Sequence, residues 1–253
     1  MISFENVSKT YGGKTVKAVD GLTWVVPDGA ITGFFGPNGA GKSTTLKMAT
    51  GIYAPDEGSI SINGFDIVRD PIEAKRQFGF VSDNPDRFLR LRGIEYLDFV
   101  ADVYGVPADA RGPFVESYAK RFEIYDALAN RIQDYSHGMR QKLMILAALI
   151  HDPSVWILDE PMTGLDPRSA FELKEMMREH AARGKSVLFS THVLEVADRL
   201  CDQVCIISRG RKLFDGTLEE LKDRHPGMSL EQIFLEMTNS GQAPVDAGAA
   251  DNG

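Results

Sequence analysis

Several short runs in this chain of 253 residues carry side chains suited to handling phosphate and water. Gly36 to Ser43 reads GPNGAGKS, which satisfies G-x-x-x-x-G-K-[ST] and lies between an apolar run and a helical one. In that setting the backbone N–H groups of Asn38, Gly39, Ala40, Gly41 and Lys42 form an anion nest, with glycines, Gly36 included, letting phosphate oxygens approach. Lys42 adds a point charge for β- and γ-phosphates, Ser43 a hydroxyl for Mg²⁺, and Thr44 a bond to the α-phosphate. The run VWILDE brings four apolar residues up to Asp159 and Glu160. Asp159, at the carboxyl end of a strand, suits the hydration shell of that Mg²⁺. Glu160 beside it suits activation of an attacking water, and Pro161 fixes the loop. STH ends at His192, a donor for a γ-phosphate that also orients Glu160. Asp166 lies in a TGLDP turn, which alone would be only a helix N-cap.

These residues need elements to hold them. ISFENV, LTWVVPDG and GSISING read as short strands with turns, and ITGFF as a buried strand feeding the Gly-rich loop. KSTTLKMATG reads as a helix closed by Gly51. In IEYLDFVADVYG the period changes, with Ile94, Leu97, Val100, Ala101 and Tyr104 at helical spacing, and FVESYAKRFEIYDAL continues in that style. After Pro153 strands and helices alternate through VWIL, SAFELKEMMREHAARG, SVLFS, VLEVADRLC and QVCIIS, the pattern of a mostly parallel sheet. An α/β core over 1–86 and 151–225 is therefore expected, with a helical subdomain inserted at 87–150. SLEQIFLEM sets Leu230, Ile233, Phe234 and Met237 on one face, a small helix within 226–238, and 239–253 reads as a disordered tail.

Composition narrows the class. The chain is 43% hydrophobic and 25% charged, as in ordinary globular proteins. No apolar run approaches the roughly 20 residues that cross a bilayer, and MISFENVSK lacks a signal-peptide layout. The expected address is the cytoplasm. Cys201 and Cys205 read as buried, reduced thiols rather than a metal site. A net charge of −8 argues against a broad nucleic-acid-binding face, so no nucleic-acid partner is expected.

DYSHGMRQK, from Asp134, poses a puzzle. Ser136 reads as an N-cap and Gly138 bares the first helical turn, yet Arg140 and Lys142 stand where the helix dipole disfavours cations. A docked anion would resolve the conflict, although the chain already has a phosphate loop. The order of phosphate loop, helical insert, YSHGM, VWILDE, TGLDP and STH resembles the ATP-binding subunits of ABC (ATP-binding cassette) transporters, over roughly residues 1 to 238. The resemblance implies a P-loop NTPase, RecA-like α/β core with an antiparallel β subdomain and an inserted helical subdomain. It implies an ATPase using ATP and Mg²⁺, dimerising head to tail so that each ATP lies between one phosphate loop and the other copy's YSHGM turn. Ser136 and Gly138 would then contact the partner's γ-phosphate. By position, Tyr11 would stack on adenine and Asp166 would join the sites across the dimer.

Some positions depart from the family pattern. The commoner signature is LSGGQ; here His137 adds bulk and Met139 loses an amide. The variant resembles exporters whose membrane half is a separate polypeptide. In FGFVSDNPD the family usually has a Gln touching Mg²⁺ and the attacking water. Asp83 stands there, or Asn84 takes the role if the register is off by one. The resemblance implies a transmembrane permease partner docking near Asp83 to Arg92, a second ATPase protomer (a homodimer), and peripheral placement on the inner face of the cell membrane. The alternative is a soluble ABC ATPase acting on ribosomes or DNA, which usually carries tandem cassettes or long insertions. A GTPase lacks support, since no N-K-x-D motif is present.

Overall fold

The computed structural model describes residues 1–12 and 16–239. The chain opens with β1 (Ile2–Thr10), β2 (Lys17–Val26) and β3 (Ile31–Phe35), then α1 (Lys42–Ala49), β4 (Glu57–Ile62), β5 (Phe65–Asp66), α2 (Pro71–Arg76) and β6 (Phe78–Val81). α3 (Gly93–Val103), α4 (Ala108–Arg121) and α5 (His137–Leu149) follow, with 3₁₀ turns at Asp126–Ala129 and Ile132–Asp134 before α5. β7 (Val155–Asp159), α6 (Pro167–Ala182), β8 (Ser186–Ser190) and α7 (Leu194–Leu200) restore the alternation. β9 (Gln203–Ser208), β10 (Arg211–Thr217), α8 (Leu218–Asp223) and α9 (Leu230–Asn239) complete it.

The strands form a 4-stranded antiparallel sheet, β2-β1-β4-β5, and a 6-stranded sheet, β10-β9-β3-β8-β7-β6, parallel except at β10. β3, β7 and β8 are buried at every residue, as strands covered on both faces must be. Their side chains alternate between separate cores. Phe35, Trp156, Leu158 and Phe189 face the helices, whereas Phe34, Val155, Ile157 and Leu188 face the antiparallel sheet and α1. Trp24 joins the sheets, stacking with Phe4 at 5.4 Å and Phe34 at 5.0 Å between ring centroids. Each such buried ring contributes about 2 to 3 kcal/mol of hydrophobic stabilisation.

The apolar run LMILAALI lies buried in α5, and among the described residues no helix is long and apolar enough to cross a membrane. Cys201 and Cys205 are free and buried. Some elements were not anticipated: β6 and β10 are edge strands, and α2 and α8 are only 6 residues long. The helix expected to run on past Phe122 stops at Arg121, because Glu123 takes a left-handed φ of 55°. Leu230 and Ile233 of α9 are buried, and Phe234 and Met237 pack beside them. The expected tail falls on 240–253, outside the described residues, apart from Asn239, which ends α9.

Candidate functional site

The Gly-rich loop is shaped by its neighbours. A Cβ on Gly36 would come within 2.4 Å of the Ile207 carbonyl oxygen, and one on Gly41, at φ 110°, within 2.4 Å of the Ala18 carbonyl oxygen. Neither position accepts a side chain. Asn38 and Gly39 are exposed at the tip, while Ala40 is buried beneath it. α1 starts at Lys42, whose ammonium donates to the Gly36 carbonyl at 2.5 Å and the Pro37 carbonyl at 3.3 Å. Burial lowers the Lys42 pKa, and the carboxylates of Glu160 and Asp159 oppose that shift. Ser43 and Thr44 are half-buried on the first turn.

β7 delivers Asp159 beside this loop, 1% exposed. Burial pushes its pKa up; the hydroxyls of Ser190 and Ser43 counter that, and the charges of Asp83 and Glu160 add to it. Its Oδ2 is buried without a hydrogen-bond partner among the described residues. A buried carboxylate with a spare oxygen, a nearby serine hydroxyl and acidic neighbours fits a divalent cation. Among the described residues no group of three or more His, Cys, Asp or Glu forms a metal cluster. Mg²⁺ would take one or two protein ligands from such a site and fill its shell with phosphate oxygens and water.

Glu160 follows at φ 50°, a left-handed conformation uncommon for a non-glycine residue. Its Oε2 lies 2.9 Å from His192 Nδ1. The carboxylate accepts, so Nδ1 carries the proton. Sequence reading missed Ser190: its Oγ donates to Asp159 Oδ1 at 2.6 Å and accepts from the Glu160 N–H at 3.1 Å. The signal that finds it is the strand register, which pairs Asp159 with Ser190. Tyr11 is exposed, its ring edge-on to Tyr53 at 5.8 Å and its hydroxyl 3.1 Å from Thr44 Oγ1. Asp83 is exposed and close enough to perturb Asp159, whereas the Asn84 side chain turns back to accept from the Asp86 N–H at 2.8 Å.

Ser136, Gly138 and Asp166 gather separately. Ser136 caps α5, accepting from the Met139 N–H at 3.2 Å. The buried Tyr135 hydroxyl donates to the Ala127 carbonyl at 2.6 Å. The cations that posed the puzzle have partners within the chain. Arg140 donates to Asp86 Oδ1 at 2.6 Å and to the carbonyls of Ile132 and Gln133, and Lys142 Nζ lies 3.0 Å from Asp166 Oδ2. Their placement therefore does not by itself require a docked anion. Asp166 also caps α6, accepting from Ser169 N–H at 2.9 Å and Ser169 Oγ at 2.6 Å. The turn between them is tight. A Cβ on Gly138 would lie 2.6 Å from the Gly164 carbonyl oxygen, and one on Gly164 would lie 2.4 Å from His137 Cδ2. Gln141 Nε2 adds a 3.3 Å bond to the Pro161 carbonyl.

A Gly-rich loop between strand and helix, facing paired acids at the carboxyl edge of a parallel sheet, defines a P-loop ATPase core, here with an inserted helical subdomain. The ABC transporter family model matches residues 19–163, and the chain belongs to that family as an ATP-binding, ATP-hydrolysing subunit. The ABC transporter ATP-binding protein NatA of Bacillus subtilis is 34% identical over 93% of this chain and 97% of its own. The Nod factor export ATP-binding protein I of Burkholderia orbicola is 38% identical, covering 92% of this chain and 76% of its own. The solved structure of an ATP-binding subunit of an ABC transporter superposes with a TM-score of 0.90 at 33% identity, over 94% of this chain and 99% of that one. Subunits of this family work as dimers with a membrane subunit.

Proposed function

We propose that this chain binds ATP with Mg²⁺ along Gly36 to Thr44 and hydrolyses it there, with Lys42, Glu160 and His192 as catalytic residues. The convergence of Lys42, Asp159, Glu160 and His192 on one sheet edge carries this reading. Mg²⁺, held by Ser43 and Asp159 with Asp83 accepting from its water shell, would offset the phosphate charge when bound. Tyr11 stacks on adenine. Glu160 takes a proton from the attacking water as that oxygen bonds the γ-phosphorus. The bond to the β,γ-bridging oxygen breaks, and ADP leaves with the electron pair. His192 holds Glu160 through Nδ1–H. It can also donate to the γ-phosphate through Nε2 only with a second proton on the ring.

Two copies of the chain close head to tail, with Ser136 and Gly138 of each on the other's γ-phosphate and Asp166 between the sites. A groove of about 360 Å³ between core and helical insert, lined by Phe80, Phe88, Tyr96, Phe99 and Tyr104, receives a cytoplasmic segment of the transmembrane permease. Phe88 and Phe99 are each 49% exposed there, and Arg140 ties the adjoining loop to α5 through Asp86. This docking puts the chain on the inner face of the cell membrane. Export is supported by the relative named as a Nod factor export protein. The test is a pull-down of tagged Glu160→Gln protein from detergent-solubilised native membranes with MgATP. A polytopic membrane protein in near-equal amount, lost when Phe88 and Phe99 are both changed to Glu, is expected. Recovery of ribosomal proteins instead would favour the soluble alternative.

A further inference from the structure

Ser190 ends β8 opposite Asp159 in the parallel register, and it is fully buried. Its neighbours along the strand, Val187, Leu188 and Phe189, are apolar and equally buried, so packing there does not call for a hydroxyl. A hydroxyl has one proton to give and lone pairs to receive with. Ser190 gives its proton to Asp159 Oδ1 at 2.6 Å and receives the backbone N–H of Glu160 at 3.1 Å. One oxygen atom thus holds the side chain of the first acid and the main chain of the second. Both holds matter for geometry. With Oδ1 engaged, Oδ2 is left as the Asp159 oxygen without a hydrogen-bond partner among the described residues. With its amide engaged, Glu160 is kept at φ 50°, the conformation from which its carboxylate meets His192 Nδ1 at 2.9 Å.

We propose that Ser190 is a positioning residue of the ATPase site, orienting Asp159 toward the cation and fixing the Glu160 backbone in its working conformation through a single hydroxyl. The proposal rests on the roles given above to Asp159 and Glu160. It separates Ser190 from a serine that merely satisfies itself in the core, because it ties the hydroxyl to Mg²⁺ dependence as well as to turnover.

The full chain carrying Ser190→Ala is compared with the unchanged protein by two readouts. One is binding of a fluorescent ATP analogue, without Mg²⁺ and across a Mg²⁺ titration. The other is steady-state hydrolysis. The expected result is unchanged binding without Mg²⁺, about a ten-fold higher Mg²⁺ concentration for the half-maximal response, and kcat lowered about ten-fold or more with KM for ATP little moved. Unchanged Mg²⁺ dependence and kcat would overturn the proposal, as would an equal loss of binding with and without Mg²⁺ in a folded variant. If the alanine variant does not fold, Ser190→Cys, with a weaker donor, is measured the same way, and wild-type Mg²⁺ dependence in it overturns the proposal. Parallel Asp159→Asn and Glu160→Gln variants separate the layers. Should these still hydrolyse ATP, the site reading itself fails; should they be inactive while Ser190→Ala is normal, only the role of Ser190 does.

Discussion

Lys142 of α5 reaches across to the first residue of the α6 cap: its ammonium stands 3.0 Å from the Asp166 carboxylate, with the lysine only 8% exposed. The turn that opens α5 and the segment that follows Glu160 are thereby fastened within one protomer. Gln141 on Pro161 and Gly138 against Gly164 make the same connection.

Asp166→Ala removes the α6 cap and the Lys142 partner together. Loss of the cap alone costs about 1 kcal/mol, or about 3 °C in Tm for a chain of this size. The hydrogen bonds from Ser169, with Lys142 beside them, hold the Asp166 carboxyl well below the usual range. A depressed folded-state pKa contributes stability above the unfolded value near 4 that is lost as pH falls through the folded value. Thermal melts should show a clear deficit for the variant at pH 7 that shrinks below pH 3; a deficit independent of pH would remove the ionic part of the argument.

Glu160→Gln keeps the shape of the site and removes the proton acceptor. Phosphate release should fall by about 10²-fold or more, while ATP-bound protein elutes as a dimer in size-exclusion chromatography. Hydrolysis near the normal rate would show that another group takes the proton.

Ser136→Arg places a bulky cation where the partner's γ-phosphate is proposed to dock. ATP-driven dimerisation of this variant should be abolished while fluorescent nucleotide still binds the monomer. The lost α5 cap lowers stability by about 1 kcal/mol as well, so binding is measured well below Tm. Monomer binding that disappears would argue against contact across the dimer.

His151 and His180 predict an acid limb. Burial pulls each imidazole down to about 4; the Phe78 carbonyl and Asp152 oppose this at His151, while Lys185 and Arg183 reinforce it at His180. Their neutral forms are thus favoured in the fold, giving stability that is complete above pH 6.5 and lost as pH falls toward 4. Each contributes at most about 3 kcal/mol. His180→Phe should flatten the Tm profile between pH 6.5 and 4 relative to the parent; an unchanged slope would show that the ring stays hydrated.

What the sequence displayed was local. GPNGAGKS, VWILDE and STH each announce their chemistry within a few residues, and the alternation after Pro153 implies a parallel sheet. Ser190 was out of reach, because its role follows from a register between strands separated by the whole of α6. Arg140 and Lys142 misled for the same reason. Their conflict with the helix dipole is genuine locally, but Asp86 and Asp166 settle it from distant parts of the chain. β6, only 4 residues long, offers too short a run to show a period, and β10, with Phe214 its one buried residue, shows no alternation of apolar and polar positions.

The chain's only cysteines, Cys201 and Cys205, lie inside the fold, and burial drives both thiols far above their ordinary pKa. The folded protein should accordingly react slowly with maleimides and mild oxidants, which a thiol titration of the native protein checks. A single cysteine introduced at an exposed place such as Val193, or at Thr163 in the turn before Gly164, becomes the one addressable thiol. Spin labels, dyes or bifunctional cross-linkers can then measure the approach of two copies in real time without first stripping the native sulfur.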